Sequence, residues 1–402
     1  MSISTLKNWM RRVKRMLLLL LSWVVADSCI ERVDFDIPDS YSNDLVVDGQ
    51  ITNEPGPYVV NLKRVINVDA TSPLGIPIDA KRITIFDDLG ASEVLSYVKP
   101  GMYQTDPAGI RGEVGRTYHV RVEMNDGDVF ESIPDKMDPV GAVDTIYYDF
   151  ESYQSTDGPT MHAYRLYVDA HQAEGGNNYI RWKLNGTYVV ETLPQYTHCP
   201  NPPCSWCPTP CSGFAKVNNE LKEGYAYNPV TQEMEYVIGL KCTCCRCWVT
   251  PPESKPRVND LQLSNGRFVR VDVGTIPVNF YTFFEKYRVQ VIQMSLSRNA
   301  FDYWEAIESQ KDAIGSLFQP VTGEIPTNID NSQTQRGVQG IFYASAVTTK
   351  TIYLTKEMIK VNVRVPQDDC NGMLREGAIG KDCRNAFPGS HSTTEKPADW
   401  VD

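Results

Sequence analysis

The chain is poor in histidine, in long apolar runs and in positive charge, and each shortage removes a class of function. Its five histidines, His119, His162, His171, His198 and His391, never fall at the four-residue helical spacing that a zinc protease needs. No glycine-rich phosphate loop is present. Gly389-Ser390-His391 sits in an irregular stretch, without the strand–turn–helix context of a nucleophile elbow. Lysine and arginine number 39 against 50 aspartates and glutamates, a net charge of −11. Such a surface is repelled by phosphate backbones, which argues against nucleic acid, and by anionic lipid head groups. Acids this numerous fall near one another by chance, so they mark no glycosidase pair. No catalytic machinery is evident, and the expectation is a non-enzyme without a cofactor.

One apolar run stands out, Met16 to Val25, about half of the roughly 20 residues that a membrane-spanning helix needs. It follows Lys7, Arg11, Arg12, Lys14 and Arg15 and ends in Ala26-Asp27-Ser28-Cys29. Basic, apolar and small residues in that order define a secretory signal over residues 1–28. The small residues before Cys29 resemble a bacterial lipobox, in which the thiol is acylated and the cut falls just before it. Asp27 is unusual there. Several acyl chains at about 0.8 kcal/mol per buried CH₂ make a lasting anchor where one would not. Cys29 is the expected lipidation site and residues 29–43 a tether. Removal of residues 1–28 takes away five basic residues and one acidic one, moving the net charge from −11 to −15.

From Asp44 to Ile133, six short runs alternate apolar and polar residues between turn signals such as Pro55-Gly56-Pro57 and Asp126-Gly127. Period-two alternation gives a strand one buried face. Six such runs in about 90 residues argue for an immunoglobulin-like β-sandwich over 44–133. Pro134 to Val143 resembles a linker. A larger β-rich domain is expected over 144–366, with Asn185-Gly186 as the turn of a hairpin between YIRWKL and TYVVET. Phe301, Trp304, Ile307, Ile314 and Leu317 fall at helical spacing, so one helix is expected at about 299–318, capped by Ser297. The fold class is mainly β, and residues 367–402 are expected as a polar tail with a Cys pair.

Cysteine carries the densest local signal. Beyond Cys29 there are ten: Cys199, Cys204, Cys207, Cys211, Cys242, Cys244, Cys245, Cys247, Cys370 and Cys383. An even count in an exported chain points to disulfides. The alternative is zinc held by Cys199, Cys204, Cys207 and Cys211, whose spacing also suits that metal. If 242–247 is a strand, its thiols alternate in direction and do not converge on one ion. Trp206, inside the proline-rich loop, is the candidate exposed aromatic for ligand binding.

LVVDGQITNEPGPYVVNL, MYQTDPAGIRGEVGRTYHVRVE, CWVTPPES, YRVQVIQMSLSRNAFDYWEAIESQ, GSLFQP and DCRNAFPGSHSTTEKPADW occur in order along the chain. Together they resemble a Bacteroidota lipoprotein family catalogued as domain of unknown function 4249. The Cys199–Cys211 loop and the cysteines before Cys247 are additions to that pattern. In lipoproteins of Bacteroidota, acids after the acylated cysteine, here Glu31, Asp34 and Asp36, resemble a flag for export to the cell surface; Arg32 interrupts them. The resemblance implies an outer-membrane lipoprotein facing the exterior, encoded beside a TonB-dependent receptor and serving as its accessory. It supplies no catalytic residues and no ligand. An adhesin or structural envelope module is the alternative, and an enzyme with an unfamiliar site a third.

Overall fold

The computed structural model describes residues 44–64, 75–154, 158–199, 205–260, 266–313, 325–331, 336–363, 365 and 377–401. The expected signal, the tether with Cys29, and Cys204 and Cys370 lie outside the described residues. The chain is mainly β, as its alternation required, and its four main sheets form four layers.

The first two layers enclose one core. Leu45–Thr52 lies between Val59–Arg64, antiparallel to it, and Val338–Ser345, parallel to it. Ala80–Asp87, Thr117–Met124 and Val129–Ser132 build the opposing sheet. Inward residues of both, Val47, Ile51, Val60, Leu62, Ile83, Ile85, Val122, Phe130 and Phe342, bury completely or nearly so. Asp126-Gly127 turns the last hairpin, with Gly127 at a φ of 100° that a residue with a Cβ adopts only under strain.

Residues 44–133 do not complete this sandwich alone. Ile329–Asn331 pairs with Val129–Ser132, and Val338–Ser345 supplies a full edge partner to Leu45–Thr52. The segment expected as a linker is pinned too. Asp135–Lys136 pairs with Thr117–Met124, and Met137 is fully buried in the first core.

The other two layers hold the second core. Val143–Gln154, Thr160–His171 and Arg267–Val278 form the outer sheet, and Tyr179–Glu191, Arg246–Thr250, Lys286–Ser295 and Val347–Thr355 form most of the inner one. Leu166, Val168, Ile180, Trp182, Val249, Val289 and Val291 meet between them.

The hairpin expected at Asn185-Gly186 does not exist. Tyr179–Glu191 is one continuous strand whose residues Ile180 to Tyr188 pair with Ser295 to Tyr287. Gly186 is needed for space, because a Cβ there would run into the Tyr287 ring. A full-length partner strand outweighs a local turn preference.

One α-helix is present among the described residues, Arg298–Ala313. The Ala300 N–H donates to Ser297 Oγ, the expected cap. Residues 314–318 of the expected range lie outside the described residues. Ala300 and Phe301 pack with Met294, Leu296, Ile341 and Tyr343, a third cluster that joins the inner sheets of the two sandwiches.

The residues expected as a polar tail are structural where they are described. His391–Thr393 adds an edge strand to the second inner sheet, and Trp400 packs against Val189 and Trp248. Asp399 pairs with the Arg288 guanidinium and accepts from Gln290.

Candidate functional site

Among the described residues, four disulfides join eight cysteines: Cys199–Cys207, Cys211–Cys244, Cys242–Cys245 and Cys247–Cys383. The first three stabilise a lobe of two small hairpins, 214–223 and 225–236. The fourth bolts residue 383 to the second core, where both its cysteines are fully buried. Cys383 therefore does not pair with Cys370.

The zinc alternative fails on connectivity among the described residues. Cys199, Cys207 and Cys211 are each spent in a bridge, and not as one group. The Sγ atoms of Cys211 and Cys244 and a carboxylate oxygen of Asp382 do lie within 4.8 Å of one another, but the two sulfurs are bonded to each other and offer no thiolate. The strand geometry expected for 242–247 holds only from Arg246 onward; Cys242 to Cys245 form a bend.

Trp206 is half-buried rather than exposed. Its ring stacks on His198 at 5.0 Å and meets Tyr196 edge-on at 5.2 Å. These contacts pack Trp206 against residues 196–198.

The arrangement best suited to a ligand lies between the two inner sheets, with the helix at one end. It is a cleft of about 500 Å³, the size and setting of a small-molecule site. Asp48, Gln50 and Asn61 form its first wall, with Glu54 on the rim. They face it because Leu45–Thr52 alternates, sending Val47, Gly49 and Ile51 into the first core. Arg181 and Lys183 form the second wall by the same rule, since Ile180 and Trp182 point into the second core. Trp304 comes from the helix and Tyr343 from the strand Val338–Ser345.

Arg181 is the centre of this group. Only 3% of it is exposed. Its Nη2 donates to Glu253 Oε2 at 2.6 Å, Nη1 lies 3.4 Å from the Tyr343 hydroxyl, and the guanidinium sits 3.8 Å over the Trp304 ring. Cation–π contact of this kind strengthens as water is excluded. Two atoms of the cluster remain buried without a hydrogen-bond partner among the described residues, Arg181 Nε and Glu253 Oε1, while the Trp304 side chain faces the Tyr343 hydroxyl. Orphaned buried polar atoms are costly and call for a partner.

The Tyr343 hydroxyl donates to Gln50 Oε1 at 2.6 Å, joining two neighbouring strands of the first wall. Burial pushes its pKa up to about 12. Asp48 is open to solvent at the cleft mouth, yet the protein packed around it raises its carboxyl pKa, outweighing the attraction of Lys63, Arg181 and Lys183. Its carboxylate makes no hydrogen bond or ion pair among the described residues, and neither does the Lys183 ammonium.

Two other cavities, of about 340 and 530 Å³, share Phe280 and Phe284 as a wall. Both are rimmed by residues flanking 366–376, which lie outside the described residues.

None of the cleft residues except Trp304 stood out in the sequence. The signal was there in Tyr179-Ile-Arg-Trp-Lys-Leu184, where two cations alternate with core residues on a strand. Cations facing the same way on an internal strand need a reason.

Fold and cleft together define a two-sandwich β protein with a ligand-sized, mixed-charge cleft between its halves. The chain belongs to the family described as Domain of unknown function (DUF4249), whose model matches residues 30–351. That span contains all the residues named above as lining the cleft. No curated protein matches the chain significantly.

Proposed function

We propose that this is a non-enzymatic ligand-capture lipoprotein, anchored through Cys29 to the outer membrane, facing the exterior and serving a TonB-dependent receptor. The observation that carries the capture role is the inter-sandwich cleft, where a buried, incompletely satisfied Arg181 cluster lies beneath unpaired charges on facing walls. The anchor rests on the basic–apolar–cysteine order of residues 7–29, and the companion on the family resemblance. Capture without chemistry fits the cleft's polar groups, which are arranged to hold rather than to form a nucleophile and base.

A second reading rests on the disulfide-stapled lobe. Val230 and Ile238 there are each 89% exposed, beside exposed Tyr227 and Tyr236. Apolar tips on a cross-linked lobe suit contact with another protein, as in an adhesin.

The test is a pull-down of the tagged chain from mildly solubilised outer membranes. A TonB-dependent receptor at comparable abundance is the expected companion. Recovery of the chain alone, with cell adhesion lost when Val230 and Ile238 become serine, would overturn the accessory role in favour of the adhesin.

A further inference from the structure

Resting on the capture reading, we propose that the cleft's ligand is a zwitterion of short-peptide size, held with its ammonium against Asp48 and its carboxylate against Lys183. The wall from the first sandwich presents the carboxylates of Asp48 and Glu54, and the wall from the second presents the Lys183 ammonium beside Arg181. Arg181 is already paired with Glu253 at 2.6 Å, so the charges left without a partner in the cleft have opposite signs on opposite sides.

A simple anion would answer Lys183 and meet Asp48, Glu54 and Glu253. A simple cation would meet Arg181 and Lys183. A ligand carrying both signs at its two ends satisfies both walls, and charge-assisted hydrogen bonds are the strong ones. On the first wall, Gln50 and Asn61 supply amides suited to peptide N–H and C=O groups. Trp304 and Tyr343 give an apolar floor. The volume, about 500 Å³, admits a chain of a few residues and not a folded partner.

An orphaned atom gives the second, independent pointer. Arg181 is more than nine-tenths buried, and its Nε has no acceptor among the described residues. It is a donor in the lining of the cleft, placed for a ligand carbonyl or a water that it orders.

The experiment is titration calorimetry on the full detergent-solubilised lipoprotein with trialanine, its N-acetylated form, its C-amidated form and maltotriose. Trialanine is expected to bind. Each cap is expected to weaken binding roughly ten- to hundred-fold, the effect of one charge-assisted hydrogen bond. Asp48→Asn is expected to erase the penalty of acetylation alone, and Lys183→Gln that of amidation alone. Both are surface changes that leave the cores intact, and unchanged melting temperatures check this.

Equal affinity for free and capped peptides overturns the proposal. So does maltotriose binding in place of trialanine; if Gln50→Ala then abolishes it, the capture cleft survives and only the ligand class falls. If no probe binds, the zwitterion proposal is overturned. Binding that Gln50→Ala, Asp48→Asn and Lys183→Gln all leave untouched overturns the cleft itself.

Discussion

Replacing Cys247 and Cys383 together by alanine removes the bridge that closes the longest loop in the described chain, with a sequence separation of 136. In the chain-entropy account, cross-linking a loop of that length restricts the unfolded state by about 5 kcal/mol at 25 °C. The bridge Cys242–Cys245 spans a separation of only 3, and the same relation assigns it about 2 kcal/mol. At about 2.1 cal/mol/K per residue over the 402 − 28 = 374 residues from Cys29 on, these losses lower the melting temperature by about 6 °C and about 2 °C respectively. Calorimetry of the two double variants, with the remaining bridges intact, makes the comparison. Both Cys247 and Cys383 are fully buried in the second core, so alanine there adds a small cavity cost in the same direction. Equal losses in the two variants, or a larger loss for Cys242→Ala/Cys245→Ala, would refute the loop-length reasoning.

Glu253→Ala leaves the Arg181 guanidinium buried without its carboxylate, and a loss of about 3 kcal/mol is expected in urea denaturation. Gly186→Ala drives a methyl into the Tyr287 ring and is expected to cost about 1–3 kcal/mol by the same assay. Asp135, 3% exposed, has its carboxyl pKa raised to about 6, chiefly by desolvation. A raised acid favours the protonated folded state, so its contribution is complete below about pH 4 and is lost as pH rises through 6. The loss is at most about 3 kcal/mol, at 1.36 kcal/mol per pKa unit. Asp135→Asn can still accept from the Ala344 N–H and is expected to gain on the wild type between pH 4 and pH 8. A flat difference across that range would remove Asp135 as the cause.

Much of the fold was legible because β alternation is local. Leu45–Thr52 begins and Val129–Ser132 ends within a residue of the expected limits Asp44 and Ile133. The single helix followed from apolar spacing and the Ser297 cap. What was not legible depended on distant partners. Nothing near residues 44–133 reveals that Val338–Ser345 completes their sheet, since a parallel edge strand brings no local turn with it. Asn185-Gly186 carries a strong turn signal, and only the pairing with Lys286–Ser295 cancels it. Trp400 and Cys383 lie in polar surroundings that resemble a tail, and the contacts that order them come from residues 189, 247 and 248. The cleft was hidden for the same reason: Asp48 and Lys183 are unremarkable until two sandwiches set them face to face.

The most direct test of the capture cleft is a crystal structure of the protein grown with trialanine, and in parallel with maltotriose. Ordered ligand is expected between the inner sheets, in reach of Asp48 and Lys183 and above the Arg181–Trp304 pair. A clear cleft with ligand bound at another surface would contradict it.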